Sequence, residues 1–255
     1  MVLWLLACAG VCDRAVDARV GSGESLDRAA AVARCEADLL DPAEKPWIEA
    51  MAACEQAGCV AEVGVRRSLE KARAGGDWTD LARRCASVDT EPCVSGMGEG
   101  ITLLTTRVTA VRDAGGDPIE PCVDLMAMVE NASEEARTTA VTRCAEAEAA
   151  RYATEGAAQA AANVAAEKLE IPLACSMAIE RLDALRGDWA KARAQEATRD
   201  CYGELGKRVL AATVAGDTWG CSFDARRVYE AVLAHDVHSP ELDAWMAQAA
   251  PLCRG

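Results

Sequence analysis

Bulky aromatic side chains are scarce in this chain: one phenylalanine, three tyrosines and six tryptophans amount to 4% of 255 residues. A core built mainly on large interlocking rings is therefore excluded. Histidine occurs only twice, at His235 and His238, which leaves most of the chain without the commonest acid–base and metal-ligating side chain. Excess positive charge is also missing. A net charge of −14 argues against a surface made to neutralise phosphates, so nucleic acid is not an expected partner. No segment approaches the 18 or so apolar residues of a membrane-spanning helix, and no sustained period-two alternation marks a strand. Cys-x-x-Cys redox and haem motifs, serine-nucleophile signatures, phosphate loops and dinucleotide fingerprints are all lacking. No catalytic residue, metal site or cofactor is implied.

What remains is alanine and cysteine. Roughly a fifth of the residues are alanine, the strongest helix former, whose short side chain lets helices approach closely. The 13 cysteines are far too many to keep as free thiols without metal, which points to an oxidising compartment. Ten of them fall into five intervals, Cys12/Cys35, Cys59/Cys85, Cys122/Cys144, Cys175/Cys201 and Cys221/Cys253. A turn signal sits near the middle of each: Gly21-Ser22-Gly23, Gly75-Gly76-Asp77, Asn131-Ala132-Ser133, Gly187-Asp188 and Asp236 to Pro240.

Each interval thus reads as helix, turn and returning helix with a cysteine at either foot, where facing positions come within the 4.4 to 6.8 Å Cα separation a disulfide needs. Shifting the frame to Cys93/Cys122, Cys144/Cys175 and Cys201/Cys221 puts the midpoints near Arg107, Gln159 and Ala211, inside helical sequence without turn residues. Cys54 and Cys93 are left to pair by elimination. The expected fold is all-α, with ten to twelve helices arranged as consecutive disulfide-stapled antiparallel hairpins in a solenoid-like array or helical bundle. Cys54 and Cys59 also form the closest cysteine pair, but zinc sites want a second such pair and there is none.

Helix faces are legible in several places. Ile101, Leu104, Val108 and Val111 share one face and stop at Gly115-Gly116-Asp117-Pro118. Ala178, Leu182 and Leu185 stop at Gly187, and Leu205, Val209 and Val214 stop at Gly216. The longest helical stretch, 133–170, is rich in alanine and glutamate, anchored by Tyr152, Val164 and Leu169, with Gly156 as its expected break. It reads either as a helix packed through alanine or as an exposed spacer dividing N-terminal hairpins (9–132) from C-terminal ones (171–255).

Two resemblances follow from short motifs. Leu5-Leu6-Ala7-Cys8 resembles a bacterial lipobox, although residues 1–8 carry no basic n-region. The resemblance implies export, lipidation of Cys8, and, with Ala9 next, anchoring at the periplasmic face of the outer membrane; residence in the periplasm or outside the cell is the other possibility. The turns Gly76-Asp77-Trp78, Gly187-Asp188-Trp189 and, more loosely, Gly216-Asp217-Thr218-Trp219 resemble the turns of tetratricopeptide-like helical repeats, without that family's 34-residue period. In these turns glycine is expected to end one helix, aspartate to cap the next, and tryptophan to pack in the hairpin's open end.

The expected function is a non-catalytic envelope lipoprotein acting as a helical interaction or structural scaffold, partnered by another envelope protein and, through Cys8, by the lipid bilayer. The alternative is an envelope metal-binding protein or enzyme using His235, His238 and Glu241. Those histidines fall at a turn, with Ser239 as N-cap and Pro240 at the first helical position, and are expected in solvent. Because alanine buries little apolar area, the staples should matter greatly: full reduction is expected to lower the melting temperature sharply in a thermal melt, and an unchanged melt would refute the stapled frame.

Overall fold

The computed structural model describes residues 2–76, 78–86, 88, 90–216 and 220–253, with side chains from residue 10 onward. Among the described residues there is no strand, and thirteen helices follow one another. They are α1 (Val2–Gly21), α2 (Arg28–Asp38), α3 (Lys45–Ala52), α4 (Ala57–Gly75), α5 (Thr79–Cys85), α6 (Glu91–Ala114) and α7 (Ile119–Val129). The series continues with α8 (Glu134–Ala165), α9 (Leu173–Ala184), α10 (Asp188–Tyr202), α11 (Glu204–Ala215), α12 (Phe223–Ala234) and α13 (Pro240–Cys253). The chain is all-α, as expected.

Local chemistry sets the ends of these helices. Asp27, Ser133, Ser222 and Ser239 each accept a hydrogen bond, all 3.2 Å long, from the backbone N–H three residues on, which satisfies a donor the helix leaves unpaired. Gly76 and Gly216 end α4 and α11 in the left-handed conformation, at φ 77° and 81°, where a Cβ would be strained. The Gly-Asp-Trp turns are less alike than their sequences. Gly187 stands before α10, and Asp188 lies inside the first turn, facing the positive end of the helix dipole rather than capping it. Asp77 and residues 217–219 lie outside the described residues. Trp78 is buried and Trp189 half-buried.

Six disulfides are present. Cys12–Cys35, Cys122–Cys144, Cys175–Cys201 and Cys221–Cys253 close four of the intervals, with Cα separations of 5.0 to 5.7 Å. The fifth interval does not close. Cys59 bonds Cys54, joining α3 to α4, and Cys85 bonds Cys93, joining α5 to α6; the Cys59/Cys85 and Cys54/Cys93 pairings are corrected accordingly. Helix length explains the difference. α4 has 19 residues and α5 only 7, about 28 and 10 Å of rise, so the returning helix ends far short of the foot of the first. Loops of 5 and 8 residues contribute about 2 to 2.5 kcal/mol each in the chain-entropy account, against about 3.5 for the longer ones.

The chain divides into two compact units, residues 1–103 with 127–132 and residues 104–126 with 133–255. In the first unit, Arg28 forks to Asp17 at 2.9 Å and Asp13 at 2.8 Å, laying α2 on α1 beside the Cys12–Cys35 link. Its core includes Val65, Leu69, Trp78 and Leu81. The second unit is organised by α8, a helix of 32 residues without a break at Gly156. Its buried face is Ala140, Ala147, Ala149, Ala150, Ala153 and Ala160, so the stretch is packed through alanine rather than exposed. Leu169, expected as an anchor, lies beyond the helix and is 43% exposed.

Gly156 has the opposite role to a break. A Cβ there would stand 2.8 Å from the backbone N of Cys175 and 2.9 Å from its Sγ, so the missing side chain lets α9 lie against α8 where the Cys175–Cys201 disulfide begins. Helix propensity favours alanine over glycine by about 1 kcal/mol, but overpacking against backbone costs about 1 to 3 kcal/mol. Gly156→Ala is therefore expected to lower the urea midpoint; an equal or higher midpoint would show that α8 and α9 do not approach this closely.

Candidate functional site

His235, His238 and Glu241 do not assemble as a group. Glu241 pairs with Lys207 at 2.9 Å. His238 is 63% exposed and held between Asp236 (Nε2, 2.8 Å) and Asp243 (Nδ1, 2.9 Å). His235 is a different case, and its expected place in solvent is corrected: its side chain is only 9% exposed, with Nε2 3.4 Å from Oδ1 of Asp183 on α9. The cause is local. α12 ends at Ala234, and Asp236 adopts a left-handed φ of 54°, which reverses the chain and leaves His235 over the side of α12. Among the described residues no group of three or more His, Cys, Asp or Glu side chains is placed to hold a metal ion.

His235 belongs instead to a groove in the second unit. Both α9 and α12 pack against α10, and the space between them, about 300 Å³, has the buried Tyr202 of α10 among its lining. One wall is the α9 stripe Ser176, Glu180 and Asp183, spaced i, i+4, i+7; the other presents Arg227, Glu230 and Ala234 of α12. Burial pushes the phenol of Tyr202 up, opposed by the Ser176 hydroxyl and Arg227, while Asp224 reinforces the rise. Ser176 Oγ and His235 Nε2 are both buried without a hydrogen bond of normal geometry among the described residues.

Serine, histidine and aspartate thus share one cavity, the residue types of a nucleophilic relay. Their arrangement is not that of a relay. A serine nucleophile needs a hydrogen bond to the base, and the base needs its other nitrogen oriented by a carboxylate; here Nε2 of His235 is turned to Asp183, and Ser176 bonds to neither. Sequence reading passed over Ser176, Glu180, Asp183, Tyr202 and Glu230. The α9 stripe was a visible signal, but nothing in the sequence shows which helix it faces.

A larger cavity of about 500 Å³ lies within the first unit, among α1 to α5. Most of its charges are already neutralised, Arg19 by Glu24 at 2.6 Å, Arg67 by Glu44 at 2.5 Å and Arg84 by Asp80 at 3.1 Å. Elsewhere in the second unit, Ile119, Val123 and Met126 form an i, i+4, i+7 stripe on α7 that is 60%, 62% and 39% exposed. No helix of the described residues is long and apolar enough to cross a membrane. No protein-family profile, curated protein or solved structure matches the chain.

Hydrogen bonds that the protonated ring of His238 donates to Asp243 and then to Asp236 hold its pKa above the ordinary histidine value. A raised folded-state value means this contribution to stability is complete below the unfolded value of about 6.5 and is lost as pH rises through the folded one. An NMR titration is expected to place the His238 midpoint above 6.5 in the native chain and lower in Asp243→Asn; equal midpoints would show that the clamp does not form in solution.

Proposed function

We propose that this chain is an exported, lipid-anchored scaffold of the cell envelope, non-catalytic, that presents helical surfaces to another envelope protein. The observation that carries the proposal is the cysteine count: six disulfides account for every cysteine but Cys8, the residue of the lipobox-like Leu5-Leu6-Ala7-Cys8. Six disulfides favour an oxidising compartment. The exposed apolar stripe on α7 suits contact with an apolar face of a protein partner.

The test is expression in a bacterial host with metabolic fatty-acid labelling and membrane fractionation, comparing the native chain with Cys8→Ala. The native chain is expected to take up label, to sediment with membranes and to lose residues 1–7. Cys8→Ala is expected to lose the label and to remain unprocessed. Unlabelled native protein in the soluble cytosolic fraction would overturn the proposal.

A further inference from the structure

We infer that the Cys54–Cys59 disulfide is a site of thiol–disulfide exchange with an external dithiol, opened ahead of the other five bridges, and that its opening releases α3 from the cavity it walls. The inference concerns the oxidised chain and does not rest on the lipid-anchor reading; either can fail while the other stands.

Access singles out this bridge. Of the twelve bonded cysteines, Cys59 alone is exposed. Cys12–Cys35, Cys85–Cys93, Cys175–Cys201 and Cys221–Cys253 each have at least one buried partner, and both ends of Cys122–Cys144 are half-buried. Glu55, Gln56, Ala57 and Gly58, which the bridge encloses, are exposed as well. Apart from the adjoining chain, nothing stands within 4 Å of the place a Cβ on Gly58 would take, so the approach to the neighbouring Cys59 is open. Exchange requires an attacking thiolate to reach a disulfide sulfur, and exposed bridges are as a class the more readily reduced.

The bridge is also one of two ties that hold α3 in place. This helix has eight residues, none of them buried, and a helix so short is not stable by itself. It packs against α1 and α4, and its half-buried Trp47, Ile48 and Met51 line the 500 Å³ cavity of the first unit. At its start, Glu44 pairs with Arg67 at 2.5 Å and Lys71 at 2.6 Å, both on α4. Just past its end, Cys54 bonds Cys59 at the beginning of α4. Opening the bridge leaves α3 hinged at Glu44, with only half-buried apolar contacts to keep it closed. The loop concerned is the shortest of the six, a separation of 5 against 8 to 32, so its opening costs the folded state least in the chain-entropy account.

The exchange runs in two steps. One thiolate of the dithiol bonds to Sγ of Cys59 as the Cys54–Cys59 bond breaks, and the electron pair leaves on Cys54, which takes up a proton. The second thiolate of the dithiol then bonds to the first sulfur and expels Cys59, which is protonated in turn. The protein gains two electrons and two protons, and the dithiol ends as a disulfide.

The test reduces the full oxidised chain with graded dithiothreitol, locating free thiols by alkylation and peptide mapping and following hydrogen exchange in parallel samples. Cys54 and Cys59 are expected to become alkylated at least tenfold faster than any other bonded cysteine. Where that bridge alone has opened, the amides of α3 should exchange at least tenfold faster than in the oxidised chain, and those of α9 and α10 should be unchanged. The double variant Cys54→Ser with Cys59→Ser should show the same fast exchange in α3 without reductant while keeping a cooperative melt. If that variant does not fold, graded reduction of the native chain decides by itself. Another bridge opening first, all six opening together, or unaltered α3 exchange once Cys54 and Cys59 are free would overturn the inference.

Discussion

Close helix approach through alanine is the constraint on which the rest of this structure depends. Short side chains let α8 and α9 meet so tightly that a single added methyl at Gly156 would press on the backbone of Cys175. The same shortness leaves little apolar area to remove from water at each contact. Disulfides offset that shortfall by limiting the unfolded chain; Cys175 and Cys201, both fully buried, join α9 to α10 within a cluster that includes Tyr202, Leu205 and Leu210.

Charge is handled by the same economy of contact. A chain of net charge −14 repels itself, and most of its ion pairs are exposed and individually weak. One is not. Arg112 at the end of α6 reaches Glu146 of α8 at 2.8 Å with both side chains nearly buried, Arg143 adds a second 2.8 Å contact, and Arg112 lies 4.9 Å over the Trp189 ring of α10. Breaking such a pair strands a buried charge, so it specifies how three helices meet even where their alanines are interchangeable.

Much of the architecture was legible because it rests on local rules. Serine caps, the glycine stops at Gly76 and Gly216 and the periodic face of Leu104 and Val108 all act within a turn or two of sequence and are where those rules place them, whereas α9 ends at Ala184, before Gly187. Reading failed where helix length mattered. Turn signals located the reversal between α4 and α5 correctly, and a turn at 75–77 already splits the Cys59/Cys85 interval unequally, but the spacing does not show which cysteine meets each foot once the arms of 19 and 7 residues fail to match. His235 was misread for a related reason: its turn is local, whereas its burial depends on Asp183, more than fifty positions away.

By itself the sequence determined an all-helical chain, the places where it reverses, the cysteines available for cross-linking and the acidic character of the surface, because helix propensity, capping and composition act over short distances. Only the tertiary structure decided which cysteines meet in the first unit, that the long alanine helix is packed, and that the α9 stripe faces α12 across Tyr202. Those outcomes depend on the relative lengths and contacts of elements far apart in the chain, which no local pattern encodes.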